Sequence, residues 1–413
     1  MAGEAYRSLA ARMGPVDPDE PDELSSDILR DVPLFRELQR VLFSGSGPIN
    51  WELARQVGIA SAVGDRPDPE PSEEDHAGLE ATVRAAELAV ADLTGLEPPA
   101  EVAHVEAIRR TRWVDANTHG LRPLFEPAAE RLATAMSDAS RDELPLAGEE
   151  GPGLEGLAGM QALLGRVSPL IVGTQLGVAL GHLGRRVLGQ YEIPVPRAGQ
   201  EALQFVLPNI EALEAEWDLP PQEFRAWVAL HEVTHAFQLG RAWVHDHVLA
   251  QVRELARGLS FDLSGIEERL AGFDLADPEG LQEALGDPAA LLGQTLSDEQ
   301  QLIVRRIQAL VAVAEGHADH VMEALGRRML GQYARIDEAM RRRREGRGEE
   351  DRLVERMLGV ELQPEHERLG REFCDRVAEA TDERTLARMW ESADQLPSMP
   401  ELEEPTLWLA RTV

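Results

Sequence analysis

Lysine is absent: all 41 basic side chains are arginine, set against 74 acidic ones for a formal charge of −33 over 413 residues. Without lysine, Schiff-base catalysis through an ε-amine is excluded. Cys374 is the only cysteine, which rules out an intramolecular disulfide and any zinc-finger or iron–sulfur site built on several cysteines of one chain. Aromatic residues make up 5% of the chain, so the core drawn from its 43% hydrophobic content must be mainly Leu, Ala and Val. Long apolar runs are missing as well. The most apolar stretch, residues 167–183, is shorter than a typical spanning helix and contains Gln175 and His182. Residues 1–14 carry Arg7 and Arg12 and no apolar run resembling a signal-peptide core, so the chain reads as cytoplasmic. The acidic excess repels phosphate backbones and anionic headgroups, which argues against nucleic acid and membrane surfaces as partners.

What remains is helical periodicity. Leu79, Val83, Ala86, Val90 and Leu93 fall three and four apart with charged residues between them, and residues 125–136, 302–325 and 365–379 behave alike. The expected fold is mostly α. Turn and linker signals fall at residues 65–74, 146–153 and 396–405. Strand signals are confined to residues 191–195 and 203–207, which predict a small β-hairpin or sheet ahead of the next helix, with Pro194 confining the first strand to an edge. Gly173, Gly177 and Gly181 recur every four residues and would line one helix face, where a second backbone can approach closely.

The chemistry concentrates after Pro220 and Pro221, which suit the first turn of a helix. That helix carries His231-Glu232-Val233-Thr234-His235. At 3.6 residues per turn the two imidazoles lie one above the other and can reach one cation, with Glu232 about 100° round. Neutral imidazoles suit zinc, and the adjacent carboxylate can take a proton from water without ligating the metal. His231 and His235 are therefore candidate ligands and Glu232 the candidate catalytic base. A third ligand is needed. The subclass with a glycine three residues after the second histidine and a further histidine three beyond is excluded, because Gln238 and Arg241 stand there.

Residues 314–320 supply the alternative. Glu315 can ligate, and Asp319, four residues on, can accept a hydrogen bond from the far nitrogen of a ligating histidine. Carboxylates among Leu310, Val311, Val313, Val321 and Met322 would be costly without such a partner. This pair resembles the E-x-x-x-D element of thermolysin-like zincins. His317, His320, Tyr333 and Tyr191 are candidate donors to a developing oxyanion. His245 and His247, flanking Asp246, read as a solvated cluster, and the run from Arg341 to Arg344 as a solvated helix with internal salt bridges to the acids around it.

Several blocks in order resemble a family of uncharacterised bacterial zincin-like proteins, labelled as zinc-dependent metalloproteases or hydrolases and sometimes as associated with deazaflavin-coenzyme biosynthesis. They are Gly47-Pro48-Ile49-Asn50-Trp51, Val172-Gly173-Thr174-Gln175-Leu176-Gly177, Leu188-Gly189-Gln190-Tyr191 and Val206-Leu207-Pro208-Asn209-Ile210. The likeness continues through residues 231–238 and 315–322 to Leu358-Gly359, Phe373 and Trp390. It implies a zincin-type core, with zinc held by His231, His235 and Glu315 and with Glu232 as base. Residues 1–40 are left as an N-terminal extension, and residues 41–413 as a metallohydrolase domain with room for helical subdomains. The expected activity is zinc-dependent hydrolysis of a peptide by metal-activated water. The alternatives are hydrolysis of a small non-peptide amide in cofactor metabolism and a catalytically inactive zinc-containing helical binding protein.

Overall fold

A computed structural model describes residues 47–64, 66–98, 104–142, 154–191, 202–259, 296–346, 348 and 364–412, with the backbone alone for 136–142 and 154–167. Helices dominate, as the periodicity predicts. They are α1 (Trp51–Val63), α2 (Glu73–Thr94), α3 (Arg110–Gly120), α4 (Arg122–Asp142), α5 (Leu154–Gly184), α6 (Leu207–Glu216) and α7 (Pro221–Leu239), followed by α8 (Ala242–Gly258), α9 (Asp298–Met329), α10 (Tyr333–Glu345) and α11 (Pro364–Ala380). The short α12 (Glu383–Ala387), α13 (Met399–Glu403) and α14 (Pro405–Thr412) complete the described chain. None of these helices is long and apolar enough to cross a membrane.

Local chemistry accounts for the ends of the key helices. Ser72 caps α2 through the Asp75 amide, and the Asp75 carboxylate returns to the Ser72 amide, while Gly95 closes the other end with φ 71°. Ser297 and Gln300 form the same reciprocal cap on the 32-residue α9. The predicted linker at 396–405 instead contains α13, because Ser398 and Glu401 form a capping box and Pro400 occupies the first turn.

The strand prediction is met by a two-stranded sheet, with a different partner from the one the hairpin required. β2 (Ala202–Val206) pairs in parallel with β1 (His104–Ile108), register His104↔Ala202 to Ile108↔Val206. Residues 192–195 lie outside the described residues, but Gly189 makes an antiparallel bridge to Phe205, so the segment ahead of them does return to β2. β2 leads directly into α6 and then α7, which places the sheet beside the helix carrying the His-Glu motif.

The main core gathers Phe224, Trp227, Leu230, Val233 and Phe237 of α7 against α2 and the α9 stripe of Leu310, Val313, Val321 and Leu325. Each such side chain contributes roughly 1.5–3 kcal/mol by leaving water. The glycine face of α5 packs on α1 as expected: a Cβ at Gly177 would lie 2.6 Å from the Ala54 carbonyl oxygen. A tighter crossing holds α9 against α11. There Gly316 and Gly370 face each other so closely that a Cβ on Gly316 would fall 2.1 Å from the Gly370 carbonyl carbon. Gly316 follows Glu315 directly, so this crossing sets how far the Glu315 turn of α9 can shift.

His320 ties the same layer together. Its Nδ1 meets Asp375 of α11 at 2.7 Å and its Nε2 meets Glu383 of α12 at 3.0 Å. Burial works to lower its pKa, but the two carboxylates outweigh burial and leave it above the ordinary 6.5. A raised pKa in the folded chain means stability that is fully present below about 6.5 and lost as pH rises through the folded value.

Two outcomes follow from this layer. Gly316→Ala is expected to destabilise by at least about 1–3 kcal/mol in chemical denaturation, because backbone must move to admit the methyl group. His320→Gln is expected to cost roughly 1 kcal/mol at pH 6 and less at pH 9; a loss that does not vary with pH would show that the imidazolium charge contributes nothing.

Candidate metal centre

α7 starts at Pro221, as the paired prolines suggest, and stops at Gly240, so the motif sits in its middle, with buried residues on nearly every side. Trp227, His231 and His235 follow one another up a single face. The Trp227 ring stacks on His231 at 5.4 Å, and His231 meets His235 edge-on at 4.6 Å between ring centres. From α9, the Glu315 carboxylate comes within 3.9 Å of His235 Nε2. Ligand atoms of His231, His235 and Glu315 all lie within 4.8 Å of one another, the one such group of three among the described residues. Zinc–ligand distances are about 2.0–2.2 Å, so the three side chains would close in further on a bound ion. The fit is supported by His235 Nε2, which is buried and has no hydrogen-bond partner, an arrangement that is costly for a lone pair unless a cation faces it.

The opposite side of the His235 ring is fully engaged. Nδ1 lies 2.9 Å from Gln238 Oε1, and Gln238 Nε2 lies 2.8 Å from His317 Nδ1, which also accepts from the Trp390 indole N–H at 3.2 Å. An indole nitrogen only donates, so His317 Nδ1 must be an acceptor. The Gln238 amide nitrogen therefore faces His317, and its oxygen accepts from His235 Nδ1–H. This chain leaves the Nε2 lone pair of His235 pointing at Glu315. Burial depresses the pKa of His235 well below 6.5, with His231 adding to the effect, and burial with a smaller contribution from His320 lowers that of His317 to about 3. Both rings are neutral, as metal ligation and the donor assignments require.

Glu232 is buried beside this group and held by backbone. Its Oε2 accepts from the Tyr191 amide at 2.6 Å, and its Oε1 lies 3.7 Å from His231 Nδ1. Gly189 lies flat against it: a Cβ there would fall 2.4 Å from the carboxyl carbon. The Gly189–Phe205 bridge and the Val206 amide, which donates to the Leu188 carbonyl, anchor this segment to β2. Asn209 fixes its beginning by donating to the Gly184 and Val187 carbonyls.

Burial works to lower the His231 pKa, but the carboxylates of Glu232 and Glu315 outweigh it and leave the pKa raised. A narrow cleft of about 40 Å³ opens onto His231, Glu232 and Glu315, walled by Trp227, Met340, Arg343 and Arg344.

The remaining expected participants stand elsewhere. Asp319 pairs with Arg344 at 3.3 Å and does not orient a ligating imidazole; Gln238 reaches His235 from three residues along the same helix. His317 stands behind His235, at the far end of the Gln238 bridge, and His320 belongs to the Asp375–Glu383 cluster. The Tyr333 hydroxyl donates to Asp337, and burial together with that carboxylate raises its pKa. Tyr191 serves through its backbone amide, with its ring in the core. His245 sits against Asp246 and His247 against Trp243, apart from the cleft residues. Gln238, Trp390, Gly189 and Asn209 carried no chemical signal of their own, although all four fall in stretches that resemble the family.

The chain is similar to a provisionally assigned hydrolase with a novel fold from Chloroflexus aurantiacus, at 27% identity and a TM-score of 0.60, over 88% of this chain and 98% of that one. No curated protein matches it. Residues 49–409 match the model of a family described as zincin-like metallopeptidases, whose members are implied to hold a divalent metal, typically zinc. The His231–Glu232–His235 helix and its Glu315 neighbour thus sit within a match that runs over nearly the whole described chain, and the protein belongs to the zincin-like metallopeptidase family.

Proposed function

We propose that this metallohydrolase cleaves an amide bond, with a peptide as the leading substrate class, using zinc held by His231, His235 and Glu315 and Glu232 as general base. The observation that carries the reading is the unpartnered Nε2 of His235, buried beside Glu315 and backed by a hydrogen-bond chain that keeps its lone pair available. Zinc bound there would supply Lewis acidity toward the carbonyl and lower the pKa of water enough for it to act as nucleophile near neutral pH. Glu232 accepts the proton of the attacking water and returns it to the nitrogen of the leaving amine. The Tyr191 amide holds one carboxylate oxygen, so the other is the one turned to this task. Gln238 keeps the His235 ring in one tautomer and one orientation. Arg343 and Arg344 bring positive charge into the cleft, and in this reading they serve the developing oxyanion.

A compact, non-peptide amide is the second reading, favoured by the surroundings of β2. β1 pairs with one side of this strand and Gly189 bridges to Phe205, so an extended peptide cannot add alongside β2 there. Turnover of a peptide library set against a panel of small amides separates the two.

Metal analysis beside an activity assay tests the site. Glu232→Gln is expected to keep zinc and lose roughly 10²–10⁴-fold in kcat. His231→Ala is expected to lose both zinc and turnover. Full zinc stoichiometry in a His231→Ala/His235→Ala double variant would overturn the ligand assignment. Gln238→Leu is expected to weaken zinc binding by about 10–100-fold and to destabilise by about 1–3 kcal/mol, read by chelator competition and denaturation.

A further inference from the structure

Five of the arginines of this strongly acidic chain converge on one cavity of about 690 Å³. Arg66 enters from the turn after α1, Arg185 and Arg186 from the end of α5, and Arg342 and Arg343 from the last turn of α10. His182 adds a further nitrogen base, and Glu216 is the one carboxylate in the lining. With acids outnumbering bases almost two to one in the chain, five guanidiniums against one carboxylate is the reverse of what composition would place there.

Helix-end chemistry accounts for part of the cluster. Arg342 pairs with Glu338 one turn back, and Arg343 donates to the Arg186 carbonyl, both suited to the negative end of a helix. It does not account for Arg66 and Arg185, neither of which meets a carboxylate in an ion pair among the described residues. Guanidiniums present planar pairs of donors matched to carboxylate and phosphate oxygens, and they keep their charge at any working pH. The volume lies in the range of small-molecule sites.

This cavity adjoins the candidate metal cleft in two ways. Arg343 lines both spaces. The backbone that supplies Arg185 and Arg186 runs on through Leu188, in the cleft wall, to the Tyr191 amide that holds Glu232. We propose that the arginine cavity is the substrate's anion-binding subsite, so that the amide acted on carries a multiply charged oxyanion group, clustered carboxylates or phosphates, beyond its scissile bond. This rests on the metallohydrolase reading for the amide, but the anion site itself stands on the arginines. Because the whole protein is negative, an anionic ligand is held by this local cluster against the global field, and its binding weakens as salt rises.

Isothermal titration of the full chain with inorganic pyrophosphate and, separately, with tricarballylate tests it. Both wild type and the His231→Ala/His235→Ala variant are expected to bind at least one probe, and the tighter one identifies phosphate or carboxylate as the group recognised. Arg66→Gln/Arg185→Gln is expected to bind it at least about tenfold more weakly, and Arg66→Gln alone, at an exposed position, to show the same direction. Equal affinity in wild type and both arginine variants, or no binding of either probe by wild type, overturns the proposal. Loss of binding in the histidine variant with retention in the arginine variants would place the anions on the metal and overturn the subsite alone. Arginine-dependent binding beside a wild-type chain that takes up no zinc would sink the metal reading alone.

Discussion

The Nε2 atom of His235 is enclosed by protein, faces the Glu315 carboxylate and has no hydrogen-bond partner, while Nδ1 of the same ring is held by Gln238. Much of the surrounding structure is organised about that condition. Trp390 donates to His317, His317 orients Gln238, and Gln238 accepts from His235, so a residue near the end of the chain decides which nitrogen of a mid-chain histidine carries the proton. A neutral amide rather than a carboxylate sits behind the ring. It fixes the tautomer without adding charge, which suits a position where burial already forbids an imidazolium.

Charge is distributed by the same logic. Among the described residues few acids are buried, and Glu232 is the one carboxylate among the otherwise apolar or neutral buried positions of α7. Asp319 pairs with Arg344, which lines the cleft, instead of reaching a histidine. The glycines beside the centre serve distance rather than turns. Gly189 and Gly316 let backbone touch the Glu232 carboxylate and the α9–α11 crossing respectively, and each stands beside or adjoins a residue of the centre.

Legibility followed the range of the interaction. The spacing of His231, Glu232 and His235 is a property of one helix, and the capping residues and apolar periods that build α2, α7 and α9 are local as well. Glu315 could be found because a carboxylate in an apolar helix demands a partner. Asp319 was misjudged because a closer competitor, Gln238, lies three residues from His235 on the same helix and reaches its Nδ1 first. The arginine run shows why local reading stops short. Consecutive helical residues are 100° apart, so four of them cover every face. Arg341 and Arg342 do make the expected salt bridges to the acids beside them, while Arg343 and Arg344 turn to the cleft. The parallel partner of β2 lies almost a hundred positions earlier, beyond any local pattern.

By itself, then, the amino-acid sequence determined a helical, lysine-free acidic chain with two imidazoles and a carboxylate on one helical turn, because periodicity and side-chain chemistry are carried by neighbouring residues. Only the tertiary structure brought Glu315 beside the two histidines and decided which amide holds Glu232, which nitrogen of His235 is left open, and that five arginines share one cavity. Those outcomes depend on close approach between segments tens to more than a hundred residues apart, and no spacing along the chain records that.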